Sequence, residues 1–154
     1  MNRPRRRIVI DFAAPKARPR RRTRRQQEQQ LQIALVKVLA LALTPATRFF
    51  HVPNGGFRTK AEAGILKAMG VIPGMHDLVL LHRLQFGDLV VCGAYGLELK
   101  SDDGDVTETQ SDLHADVATI GMPTAVAHTI DEAIDAIRSW GIPLRIKDER
   151  RAAA

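Results

Sequence analysis

A chain of 154 residues, 45% of them hydrophobic, is long enough for one globular domain with a tail and too apolar for a fully disordered protein. Its single cysteine, Cys92, excludes an internal disulfide framework and fits a reducing compartment. The net charge of +6 is unevenly placed: residues 1–25 carry ten arginines and Lys16 against Asp11 alone, a balance of +10, so the remainder carries −4.

The arginine-rich segment 1–25 holds Pro4, Pro15 and Pro19 and little apolar content. It reads as a disordered tail that clamps nucleic-acid backbone, because guanidinium forks bind phosphate in bidentate fashion. Arg20, Arg21, Arg22, Arg24 and Arg25 are the expected DNA contacts within it. A merely solubilising arm is the bland alternative. The run Ile8-Val9-Ile10, broken by Asp11, makes a poor secretion signal, and the absence of serine from residues 1–25 argues against an organelle transit peptide.

From about Arg24 to Leu43 the spacing predicts a long apolar helix, ended by Thr44-Pro45. Its apolar run from Leu31 to Leu43 is too short to span a bilayer. A short strand follows over Arg48–Val52, then a tight turn at Pro53-Asn54-Gly55-Gly56, whose glycines would let backbone N–H groups approach a phosphate. Asn54, Gly55 and Arg58 are further DNA-contact candidates. A helix is expected over Lys60–Met69 with Gly70 at its C-cap, then a buried strand over Asp77–His82 and a turn near Gly87. Two strand segments, Asp88–Cys92 and Ala94–Lys100, are expected with an irregularity at Gly93. Thr107 to Gln110 and Thr129 to Glu132 read as capping boxes opening two helices, which end near Gly121 and Trp140 and are separated by a short strand over Pro123–His128. This order gives an α/β domain: a mixed central sheet flanked by helices.

The chemistry concentrates at Glu98-Leu99-Lys100, 21 residues after Asp77. In a strand, residues two apart share a face, so Glu98 and Lys100 project together while Leu99 turns away. A carboxylate beside an ammonium, joined by a second carboxylate from another strand, can hold a divalent metal next to an activated water. Alone, an E-x-K triplet is weak; Glu98 and Lys100 could form an ordinary surface ion pair, and Glu28 could simply be solvated. Five histidines at no i, i+3 or i, i+4 spacing give no support to a zinc site.

Five ordered blocks sharpen the reading: Glu28 with Gln32, H-V-P-N-G-G-F-R at 51–58, G-M-H-D-L at 74–78, G-L-E-L-K-S at 96–101, and Gln110. With these, the chain resembles a stand-alone VRR-NUC domain, a branch of the PD-(D/E)xK nuclease superfamily, from about Gln26 to Ile142. The resemblance implies a restriction-endonuclease-like fold with a nuclease domain over 26–145 and a C-terminal tail over 146–154. It also implies Mg²⁺ or Mn²⁺ held by Glu28, Asp77, Glu98 and the main-chain carbonyl of Leu99. Asp77, Glu98, Lys100 and Gln110 would be catalytic, Lys100 orienting the attacking water. The implied protein is a homodimer cutting branched DNA such as four-way junctions, with no membrane partner. His76 stands where the superfamily usually has proline, and Trp140 with the last helix serves either a dimer or the core. The alternative is a DNA-binding or architectural protein that keeps the fold without catalysis.

Overall fold

The computed structural model describes residues 23–53 and 59–146. Helix α1 (Arg24–Ala42) leads to strand β1 (Thr47–His51), helix α2 (Lys60–Ala68), and the long strands β2 (Leu78–Phe86) and β3 (Leu89–Leu99). Helix α3 (Glu108–Thr119), strand β4 (Thr124–Ala127) and helix α4 (Ile130–Ser139) complete it. The sheet order is β1-β2-β3-β4, antiparallel across the first three strands and parallel between β3 and β4. The expected mixed sheet with flanking helices is what forms.

The helix starts are locally encoded. Thr23, Thr59 and Thr107 each accept from the N3 backbone N–H, and the N3 side chain (Gln26, Glu62 and Gln110) reaches back to the cap. The expected second box at Thr129 is half formed. Thr129 accepts from Glu132 N, but the Glu132 carboxylate turns one residue upstream to take His128 N at 2.8 Å. Arg24 and Arg25, counted with the arginine-rich segment in the sequence, lie in the first turn of α1 behind the Thr23 cap.

Alternation along β2 and β3 builds the core. Leu78, Leu80, Tyr95, Leu97 and Leu99 share one face and pack with Leu35 and Leu39 of α1 and Ala133, Ile134 and Ile137 of α4. Trp140 stacks on Tyr95 with ring centroids 5.2 Å apart, so it and the last helix serve the core. The opposite face presents Gly96, which His76 covers: a Cβ at 96 would stand 2.7 Å from the imidazole. His76 in turn stacks on His114 of α3 at 4.2 Å. His76 is thus a fully buried packing element, and burial, then His114, lowers its pKa to about 4.

Two departures from expectation stand out. Strand β3 runs through Gly93 without interruption, since Gly93 makes room for Tyr95 and Leu84 rather than a bulge. Strand β2 continues past His82 to Phe86, so the β2–β3 hairpin extends beyond the pairing of β1, which stops at Thr47 opposite His82, and of β4, which ends at Thr124 opposite Gly96. No described helix is long and apolar enough to cross a membrane.

Candidate active site

The acidic constellation gathers where β2 begins and β3 ends. Asp77 precedes Leu78, which pairs with Leu97, so Asp77 arrives beside Glu98 on the sheet face away from the α1–α4 core. Its Oδ2 accepts from Leu99 N at 2.9 Å. Glu98 is buried, and so is Lys100, whose Nζ lies 2.9 Å from Glu98 Oε1. Gln110 Oε1 accepts from Lys100 Nζ at 3.0 Å, while its Nε2 donates to Glu98 Oε1. Gln110 Oε1 also accepts from Thr107 N and Oγ1, so the cap of α3 and the site share one amide. Glu28 reaches in from α1, accepting from Ser101 N at 3.3 Å.

These residues line one cleft of about 440 Å³ with Pro73, Gly74, Met75, Thr107 and Thr109. Gly74 has φ +80, and a Cβ there would meet Thr109 O at 2.9 Å, so glycine is required for the loop to close against α3.

The electrostatics are those of a site waiting for positive charge. Burial first, and then the Asp77 carboxylate, raise the Glu98 pKa to about 7. Burial also raises that of Asp77, with Glu28 adding to the effect. Glu98 Oε2 is buried without a hydrogen-bond partner. An orphaned carboxylate oxygen beside two further acids is a hard-oxygen donor set, which suits Mg²⁺ or Mn²⁺. Among the described residues, no three His, Cys, Asp or Glu side chains are close enough to chelate one ion as they stand. The Asp77 and Glu28 carboxylates are each turned to a backbone N–H instead, and both would have to rotate from those bonds to share an ion.

Of the expected residues, Glu28, Asp77, Glu98, Leu99, Lys100 and Gln110 share this cleft. Arg24 and Arg25 are exposed in the first turn of α1, with Arg24 one turn before Glu28. Arg20, Arg21, Arg22, Asn54, Gly55 and Arg58 lie outside the described residues.

The sequence reading did not single out three supporting residues. Buried Ser101 gives its N–H to Glu28, and His128 Nδ1 donates to the Ser101 carbonyl at 3.0 Å. On the other side, His51 Nδ1 donates to the Asp77 carbonyl at 2.8 Å, and the Gln32 amide lies 2.7 Å from that nitrogen. Gln32 is one turn after Glu28, so a single face of α1 touches both flanks of the cleft. Ser101 and His51 do stand inside the quoted blocks, and that was the available signal.

A mixed four-stranded sheet with paired acids and a lysine at the junction of its central strands defines a restriction-endonuclease-like α/β domain. A solved structure described as a VRR_NUC domain protein shares the fold, with a TM-score of 0.50 and 20% identity over 72% of this chain and 84% of that one. No protein-family model matches the chain, and no curated protein does.

Proposed function

We propose that this protein is a divalent-metal-dependent nuclease that hydrolyses DNA phosphodiester bonds, acting as a homodimer on branched DNA such as four-way junctions in a bacterial or phage-infected cytoplasm. The observation that carries the reading is the buried pair Glu98–Lys100, with Glu98 Oε2 unpartnered, in a cleft shared with Asp77 and Glu28. The VRR_NUC fold likeness supports it.

Glu28, Asp77, Glu98 and the Leu99 carbonyl would hold the ion. An ion held there would supply Lewis-acid polarisation of the scissile phosphate and a more acidic water. Lys100 orients the attacking water and offsets charge developing on the phosphorus, and Gln110 fixes the ammonium that does so. Arg24 and Arg25, about one turn before Glu28 on α1, would supply backbone affinity near the cleft.

The test is cleavage of labelled four-way junction, flap, duplex and single-stranded DNA with Mg²⁺, Mn²⁺ or EDTA. Metal-dependent cutting with a preference for the junction is expected. Binding that persists in EDTA, without cutting under either metal, would leave only a DNA-binding protein. Deleting residues 1–22 is expected to flatten the salt dependence of binding, each lost phosphate contact removing about 0.9 from the log–log slope on duplex DNA. An unchanged slope in a binding titration would remove the clamp.

A further inference from the structure

A second cleft lies at the other end of α1 from the acidic site. It encloses about 310 Å³ between the last turns of α1, the turn that follows and strand β1. Leu39, Leu43 and Phe49 give it an apolar, partly aromatic lining, and Arg48 and Arg145 stand with them. No carboxylate lines it, although residues 26–154 together carry a net charge of −4. Two guanidinium groups gathered without an acid are therefore unlike the rest of this body.

The fold leaves four hydrogen-bonding features here unused. Arg48 Nη1 donates to the carbonyls of Pro45 and Thr47 at 2.9 and 3.0 Å, which fixes the guanidinium and leaves Nε and Nη2 unpaired among the described residues. Arg145 is anchored by its backbone, its N–H donating to Ala42 O at 2.7 Å, while its side chain meets no acid among the described residues. The Thr44 hydroxyl oxygen is buried without a hydrogen-bond partner. Strand β1 is at the edge of the sheet, and the bonds Arg83 N to Ala46 O and Val52 N to Asp77 O turn its even-numbered residues toward β2. Phe49 therefore turns its backbone N–H and carbonyl to the open edge, beside the cleft that it lines.

We propose that this cleft binds a nucleotide, with the phosphate on Arg48 and Arg145 and the base against Phe49, Leu39 and Leu43. Guanidinium forks match phosphate oxygens. A planar base has apolar faces for the lining and a polar rim for the Thr44 hydroxyl and the Phe49 backbone. Inorganic phosphate would leave the apolar lining wet, and an acidic peptide would bring no planar group to it. The volume is near the lower end of the roughly 300–1,000 Å³ of small-molecule sites, which suits one nucleotide and excludes a duplex. The carbonyl end of α1 opposes an anion, and two cations rather than one offset it. The nucleotide is either free or an unpaired residue of a strand that also enters the acidic cleft. Leu39 follows Glu28 by eleven residues, roughly 16 Å along the helix axis or about five nucleotide steps.

Binding here needs no catalysis, so it is read in EDTA from ¹H–¹⁵N NMR spectra of the full chain. Deoxyadenosine monophosphate should shift the amides of Thr44, Phe49 and Arg145 at concentrations where neither deoxyadenosine nor inorganic phosphate does. Arg48→Glu with Arg145→Glu should weaken that binding by about tenfold or more, with the rest of the spectrum unchanged. A short single-stranded oligonucleotide that shifts the same amides at lower concentration would make the ligand part of a DNA strand; the mononucleotide alone doing so would make it free nucleotide. No shift at these amides with either, equal shifts from inorganic phosphate or polyglutamate, or undiminished binding by the double variant would each overturn the proposal. A chain that shows the shifts but cuts no DNA would lose the nuclease reading and keep this one.

Discussion

Replacing Lys100 with alanine should reduce the single-turnover cleavage rate by roughly 10²–10³-fold, the cost of losing one preorganised electrostatic partner of a transition state, while DNA affinity stays within a few-fold. Lys100 is positioned by burial and by two bonds, to Glu98 Oε1 at 2.9 Å and to Gln110 Oε1 at 3.0 Å, rather than by contact with the protein surface. Its removal leaves Glu98 without its cation, so the variant's melting temperature belongs beside its rate. Fluorescence anisotropy in EDTA separates binding from chemistry. A variant that turns over at the wild-type rate would remove Lys100 from the mechanism.

The second large effect is on stability. The Glu98 pKa is raised to about 7 from an ordinary value of 4.5, chiefly by burial. The sign follows from proton linkage. A carboxyl that holds its proton more tightly folded than unfolded contributes no penalty below the unfolded pKa, and destabilises progressively as pH rises through the folded one. Metal-free protein should therefore lose stability between about pH 4.5 and pH 7, by about 3 kcal/mol for Glu98 alone, with Asp77 shifted in the same direction. Urea titrations in EDTA at pH 5 and pH 8 measure it. Glu98→Gln should flatten most of that dependence, and Mg²⁺ or Mn²⁺ at pH 8 should raise the midpoint of wild type but far less that of the variant. A pH-independent midpoint, or equal metal stabilisation of both proteins, would separate Glu98 from the ion.

Much of this arrangement was legible because it is local. The period-2 pattern of β2 and β3 places Glu98 and Asp77 opposite the core face, and Thr107 with Gln110 marks a helix start by residue type alone. The contacts that complete the site are not local. Ser101 meets Glu28 across 73 residues, and His76 finds His114 only once α3 crosses the sheet, so no spacing rule reveals either. Gly93 suggested a break because glycine in a strand often marks a bulge, whereas its use here is steric room for Tyr95. In sequence, Gln110 stands both in a capping box and, by resemblance, in the site. In the fold one side chain does both, since its oxygen serves Thr107 and Lys100 while its nitrogen serves Glu98.

That shared amide ties two events that are usually separate. When the first turn of α3 frays, Gln110 leaves with it, and Lys100 and Glu98 lose their common partner at the same moment. Amide exchange at the start of α3 and loss of the ordered cleft are then one opening, with one free energy. The lifetime of a single helical turn becomes the lifetime of the organised site.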